Sequence, residues 1–236
     1  MLTENLTLPI YALTPFTLLD FPGRTACIVW FSGCNMRCGY CHNPDIVRGG
    51  KGKYTIHETL AFLEKRQGLL DGVVLSGGEA TLYKDIMPFT EKTKELGYAV
   101  KLDTNGTRPG IVRMMLEKNL LDYVALDYKA PETAYRKITQ TDLFAPFGET
   151  LEMLCMQDDV PFEVRTTVHS DLLGAEEIDA ITADLAHKGY RGAYYVQNYI
   201  NNNGEQVLGA LPAQKKPLDI EALARPRDFT LVFRNF

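Results

Sequence analysis

The sequence predicts an α/β fold, a partial, open β/α barrel of about six units, and two observations carry the prediction. Six short runs of apolar, β-prone residues each close on polar residues, and stretches with apolar positions at helical spacing separate them. Such alternation requires a parallel sheet with right-handed crossovers, and six units are fewer than the eight that close a barrel.

Taken in order, segment 11–21 precedes the first unit and reads as an antiparallel hairpin or edge strand. Strands are expected at 25–32, 72–75, 99–103, 123–127, 162–168 and 193–199, because each is mostly apolar and ends in polar residues. Helices are expected at 56–66, 86–96, 111–118, 147–156 and 175–187, where apolar residues recur with helical period. Gly97 and Gly189 stand where helix stops belong. Residues 201–204 read as a turn-rich loop and 229–236 as a last strand.

With 236 residues, 45% hydrophobic, the chain can bury a full core, and one domain is expected: a core at about 16–200 and a tail at 201–236. A net charge of -5 without a basic run argues against nucleic acid as a partner. No apolar stretch approaches the roughly 20 residues that span a bilayer, and residues 1–8 lack a secretory pattern, so a cytoplasmic location and no membrane partner are expected. Three of the five cysteines fall within eight residues, which suits a metal centre in a reducing compartment better than a disulfide framework.

In parallel α/β folds functional groups gather at the carboxyl ends of strands. The first strand leads into Ser32-Gly33-Cys34-Asn35-Met36-Arg37-Cys38-Gly39-Tyr40-Cys41-His42-Asn43-Pro44, a loop on which three thiolates can converge. Soft thiolates select iron–sulfur clusters, zinc or copper(I). Cys27 lies within a strand and Cys155 late in a helix, so His42 is the local candidate for closing a zinc site. The second strand ends in Ser76-Gly77-Gly78-Glu79, where glycines allow close backbone approach to a ligand and a carboxylate can take charge-assisted bonds from an ammonium. Alone, such a triplet is a common turn. The third and fourth strands end in Leu102-Asp103-Thr104-Asn105-Gly106 and Asp127-Tyr128-Lys129, and the fifth carries Arg165. Helix capping and ordinary ion pairs are the competing readings of these charges.

The spacing C-x-x-x-C-x-x-C, with Tyr40 before the last cysteine, resembles the signature of the radical S-adenosylmethionine (SAM) superfamily. The resemblance implies a radical SAM barrel, with one 4Fe–4S cluster on Cys34, Cys38 and Cys41 whose open iron binds SAM. It further implies that Gly77, Gly78 and Glu79 hold the methionine amino group. The order of the later segments resembles the glycyl-radical-enzyme activases, typified by pyruvate formate-lyase activating enzyme. That implies SAM contacts at Asp103, Arg165 and Asn43, and Asp127 and Lys129 lining the active site, with a hard cation near the two carboxylates conceivable. Where activases carry a histidine near adenosine, this chain has Tyr195-Val196-Gln197-Asn198-Tyr199, leaving Gln197 or Asn198 as candidates. His169 and His187 are read as ordinary histidines. Leu19-Asp20-Phe21-Pro22-Gly23 resembles anaerobic ribonucleoside-triphosphate reductase activating proteins. The implied partners are a large glycyl radical enzyme, admitted through the open side of the barrel, and an electron donor such as flavodoxin or ferredoxin. The rival readings are a small-molecule radical SAM enzyme like the 7-carboxy-7-deazaguanine synthases, and a non-catalytic metal-stabilised binding protein.

Overall fold

The computed structural model describes residues 7–200, 208–209, 211–212, 214 and 216–236, so the loop expected at 201–204 lies outside the described residues. The chain forms two compact units. One comprises residues up to Asn35, Asp45–Thr104 and Arg108–Val124; the other comprises Met36–Pro44, Asn105–Thr107 and the chain from Ala125 onward.

In the first unit β1 (Ile10–Thr17) pairs antiparallel with β2 (Ala26–Phe31), as expected of an edge strand, and β2, β3 (Gly72–Gly77) and β4 (Ala99–Thr104) run parallel. Register sets Trp30 against Ser76 and Val74 against Lys101. Partners in a sheet point the same way and side chains alternate along a strand. One face therefore carries an apolar cluster of Phe21, Ala26, Ile28, Val74 and Ala99, with Trp30 and Tyr123 packed against it, and further along Ser76, Lys101 and Asp103. The other face buries Val73, Leu75, Val100 and Leu102 completely.

Helices α1 (Pro44–Arg48), α2 (Ile56–Glu64), α3 (Ile86–Glu95) and α4 (Pro109–Glu117) complete this unit, apart from Pro44 itself. Helix α2 starts in a capping box: Thr55 Oγ1 accepts from the Glu58 amide at 3.1 Å, and Glu58 accepts from the Thr55 amide at 2.7 Å. Buried threonines fit the apolar face of α3 because Thr90 and Thr93 donate to the carbonyls of Ile86 and Phe89.

Strand β5 (Tyr123–Asp127) carries the chain into the second unit, which contains α5 (Glu132–Thr139), α6 (Phe144–Cys155), β6 (Phe162–Val168), α7 (Ala175–His187), β7 (Ala193–Asn198) and β8 (Thr230–Arg234). Strands β6, β7 and β8 are parallel neighbours, with Arg165 opposite Tyr195 and Gln197 opposite Arg234. Val164, Thr166, Val168, Tyr194 and Val196 alternate to the buried face. There Tyr194 donates to Thr166 at 2.9 Å, Thr166 donates to the Tyr128 carbonyl at 2.7 Å, and the Tyr128 hydroxyl donates to Asp184 of α7 at 2.9 Å. These bonds satisfy polar atoms that would otherwise destabilise a buried layer. Tyr128, Tyr135, Phe144 and Phe147 pack ring against ring between β5, α5 and α6. Helices α3 and α7 stop at Gly97 and Gly189, as the sequence predicts.

Candidate active site

Beyond β2 and β3 the backbone is drawn tight. The Gly78 amide donates to the Phe31 carbonyl at 2.8 Å, the Glu79 amide to the Gly33 carbonyl at 2.9 Å, and the Gly33 amide to the Ile46 carbonyl at 2.6 Å. Tyr83 reaches back from beyond the Gly-Gly-Glu segment and donates to the Ser32 carbonyl at 2.6 Å. Only glycine fits here: a Cβ on Gly78 would lie 2.5 Å from the Gly33 carbonyl carbon, and one on Gly77, whose φ is 121°, would lie 2.5 Å from the Phe31 nitrogen. Glu79 is almost fully buried, and its Oε1 accepts from the Thr81 amide, the Thr81 hydroxyl and the Thr104 hydroxyl. On β4, Asp103 is held at both oxygens, by Lys101 Nζ at 2.5 Å and by Ser76 Oγ at 3.1 Å.

In the second unit Asp127, at the end of β5, accepts from Arg165 Nε and Lys129 Nζ, each at 3.0 Å. Burial pushes the Asp127 carboxyl up, but the two cations outweigh it and hold its pKa at about 2. Burial works the other way on Lys129, yet Asp127 leads the neighbours that hold its ammonium well above the ordinary range. Glu163 lies 3.9 Å from Arg165. The Lys129 charge also reaches the cysteine loop: burial raises the Cys38 thiol, and Lys129 opposes that shift. Tyr40 is buried, its hydroxyl has no nitrogen or oxygen partner among the described residues, and its polar neighbour is the Cys38 sulfur. His42 stacks on Tyr199 at 5.0 Å, and its buried Nδ1 likewise has no partner among the described residues. The loop backbone is tied down where Arg37 N donates to Thr139 O, Gly209 N to Gly39 O and Leu208 N to Cys41 O, at 2.9 to 3.0 Å.

The donor set suits an iron–sulfur cluster. Three thiols share one loop, two orphaned buried polar atoms flank Cys41, and burial holds the remaining thiols, Cys27 at about 12 and Cys155 at about 11, far from thiolate formation. A four-iron cluster takes each thiolate on a different iron, which three cysteines on one loop allow. The model of the radical SAM superfamily matches residues 28–158. The chain belongs to the radical SAM superfamily. A Methanocaldococcus jannaschii protein named as a glycyl-radical enzyme activating enzyme is 31% identical over 73% of this chain and 73% of its own length. A 7-carboxy-7-deazaguanine synthase of Methanothermobacter thermautotrophicus is 30% identical over 52% of this chain, which spans only about half, 51%, of that relative. Among solved structures, Streptococcus suis SuiB bound to its precursor peptide SuiA superposes with a TM-score of 0.64 at 14% identity, over 80% of this chain and 42% of SuiB, a likeness of fold alone.

As a radical SAM enzyme the protein uses a 4Fe–4S cluster and SAM, and its fold is the mostly parallel α/β type that the sequence predicts. The first unit brings Gly77, Gly78 and Glu79 to the end of β3 and Asp103 to the end of β4; the second brings together Asp127, Lys129 and Arg165 with Cys38 and Tyr40 nearby. Asn43 directly precedes α1. Strand register separates the two candidates on β7. Gln197 shares the face of Arg165, while Asn198 alternates to the opposite face, donating to the Asn235 carbonyl and accepting from Gln214. The ion pair that competes as a reading of Arg165 is present, while Asp103 pairs with a buried lysine, Lys101, rather than with a surface one. His169 is a core histidine: its Nδ1 accepts from the Asp171 amide and its Nε2 lies 3.0 Å from the Pro212 carbonyl. Sequence reasoning missed Lys101, Thr104 and Tyr83. Period-two alternation could have found Lys101, two residues before Asp103 on the same strand face.

Proposed function

We propose that this radical SAM enzyme is a glycyl-radical-enzyme activase. The observation that carries the reading is the Asp127–Lys129–Arg165 clamp, formed by the segments through which the sequence resembles the activases. A 4Fe–4S cluster held on the cysteine loop, reduced by an electron donor such as flavodoxin or ferredoxin, would supply the electron for cleaving SAM to methionine and a 5′-deoxyadenosyl radical. That radical would take a hydrogen atom from a backbone glycine of the partner, giving 5′-deoxyadenosine and a glycyl radical. Cys34, Cys38 and Cys41 hold the cluster. Tyr40, Asn43, Gly77, Gly78, Glu79, Asp103 and Arg165 bind SAM together with one of the two candidates at the end of β7, for which strand register favours Gln197 over Asn198. Asp127 and Lys129 line the space where the glycine is presented. Fixed charge pairs suit this task, because they orient a ligand without reorganising as it reacts. The partner is a large glycyl radical enzyme, an anaerobic ribonucleoside-triphosphate reductase, and the setting is the anaerobic cytoplasm, with neither nucleic acid nor membrane engaged.

The test is anaerobic incubation with SAM, a reductant and that reductase. A persistent doublet in electron paramagnetic resonance, with deuterium passing from an α-deuterated partner glycine into 5′-deoxyadenosine, is the expected result. The likeness to a 7-carboxy-7-deazaguanine synthase favours a second reading, action on a small molecule. Rapid multi-turnover SAM cleavage with a small metabolite alone, with deuterium transfer from it, establishes that reading instead.

A further inference from the structure

His42 directly follows the last cysteine of the loop, and the mechanism above gives it no task. Its Nδ1 is buried and has no hydrogen-bond partner among the described residues. A polar atom taken out of water without a partner destabilises the fold, and a ring needed for packing alone would be phenylalanine. The ring is held firmly. It stacks on Tyr199, with centroids 5.0 Å apart and planes 15° apart. Tyr199 is buried, its amide donates to the Val168 carbonyl at 2.8 Å, and it meets His169 edge-on at 5.0 Å. His169 is fully buried and engaged at both ring nitrogens, by the Asp171 amide and the Pro212 carbonyl. The plane of His42 thus rests on a stack whose far end is fixed. On the other side of Cys41 in sequence, the buried Tyr40 hydroxyl likewise lacks a nitrogen or oxygen partner and has the Cys38 sulfur beside it.

We infer that His42 is a positioning residue for the cluster: its Nδ1–H donates a hydrogen bond to a cluster sulfur next to Cys41, holding that sulfur and favouring the reduced state. The inference rests on the reading of Cys41 as a cluster ligand. Cluster sulfurs carry negative charge, so a bond to one is charge-assisted. That charge grows when the cluster accepts an electron, so the bond strengthens on reduction and raises the reduction potential. A higher potential makes the cluster easier for a donor of the flavodoxin or ferredoxin type to reduce.

The test compares His42→Phe, which keeps the stack on Tyr199 and removes the donor, with His42→Asn, which loses the ring but keeps an amide donor near the Nδ1 position. Both are read as cluster-loaded proteins without SAM, by anaerobic redox titration followed in the electron paramagnetic resonance of the reduced cluster. At a fixed solution potential His42→Phe is expected to shift the reduced-to-oxidised ratio roughly tenfold towards oxidised, about 59 mV for one electron, and His42→Asn to stay within about threefold of wild type. Wild type labelled with heavy-nitrogen histidine should show a nitrogen coupling to the reduced cluster in pulsed resonance, absent from labelled His42→Phe. In the cluster-free protein His42→Phe should unfold at an equal or higher urea concentration, since it removes an unpaired buried nitrogen. A lower midpoint there reveals a structural bond at Nδ1 and overturns the inference. A ratio within about twofold of wild type in His42→Phe overturns it too, as does an equal shift in both variants, which assigns the effect to exclusion of water by the ring. If His42→Phe takes up no iron, labelled wild type decides alone, and the lack of any histidine coupling overturns the inference. Cys41→Ala retaining near four irons per chain overturns the ligand assignment and the hydrogen bond with it. Loss of iron in Cys41→Ala upholds the ligand, so that an unshifted His42→Phe counts against the hydrogen bond alone.

Discussion

The close contact between Gly78 and Gly33 gives a sharp test. In Gly78→Ala the new Cβ meets the Gly33 carbonyl carbon at 2.5 Å, where ordinary contact begins at 3.4 Å. The carbonyl must therefore retreat by at least about 0.9 Å, its oxygen lying nearer still, since packed backbone has no slack to absorb the overlap otherwise. That movement carries the 2.9 Å bond from the Glu79 amide out of range and strains the Gly33 amide against Ile46. Overpacking of about 1–3 kcal/mol, plus about 1 kcal/mol for the lost hydrogen bond, sets the expected destabilisation at about 2–4 kcal/mol. Urea denaturation of the cluster-free protein reads it as a lower midpoint at unchanged slope. Iron retention should fall too, because Gly33 leads directly into Cys34. Gly148→Ala is the control: it lies inside α6 with nothing near its Cβ position, so it should stabilise by about 0.5–1 kcal/mol. Gly78→Ala within 0.5 kcal/mol of wild type, on the order of a surface substitution, would refute the reasoning.

Three further outcomes follow from the site. Replacing Cys34, Cys38 or Cys41 with Ala abolishes the cluster, while Cys27→Ala and Cys155→Ala keep it; anaerobic iron and sulfide analysis decides, and near four irons per chain in a loop variant contradicts the assignment. Asp127, held at about 2 rather than the ordinary 3.8, contributes on the order of 2–3 kcal/mol at neutral pH. Its depressed pKa means that this stability is present above the ordinary value and lost as pH falls from about 4 through 2. The stability gap between wild type and Asp127→Asn in the cluster-free protein should therefore shrink across that window. Thr104→Val removes one donor from Glu79 Oε1 and should destabilise by about 1–2 kcal/mol in the same urea assay, with no change in the folded circular dichroism spectrum.

The strands were legible because turn residues and polar ends bracket them. Tyr123–Asp127 and Phe162–Val168 have the bounds the sequence predicts. Helix α5 was not, for its composition is strongly polar and it ends on Gln140, a non-glycine residue at φ 58°, so no stop signal marks it. Helix α1 is five residues long and opens on Pro44 after Asn43, which reads as a turn; the tertiary bond from Gly33 to Ile46 gives it purpose. Motif residues announced themselves by type and spacing. Their supports did not: Tyr83 closes on Ser32 across 51 positions, and the choice between Gln197 and Asn198 is made by strand pairing. Both depend on contacts between residues far apart in the chain, which local pattern does not encode.

The backbone bonds that tie down the cysteine loop bear on when a cluster can enter. Gly39 and Cys41 receive amides from Gly209 and Leu208, and Arg37 donates to Thr139. A chain grows from its N-terminus at about 5–20 residues per second, so the three cysteines leave the ribosome many seconds before the residues that fasten their loop. Contacts so distant in sequence also form late in folding, since the closure entropy must be met before they stabilise anything. The cysteine loop is therefore made early and fastened late, and Thr139, Leu208 and Gly209, far downstream in the chain, complete the backbone that carries the metal ligands.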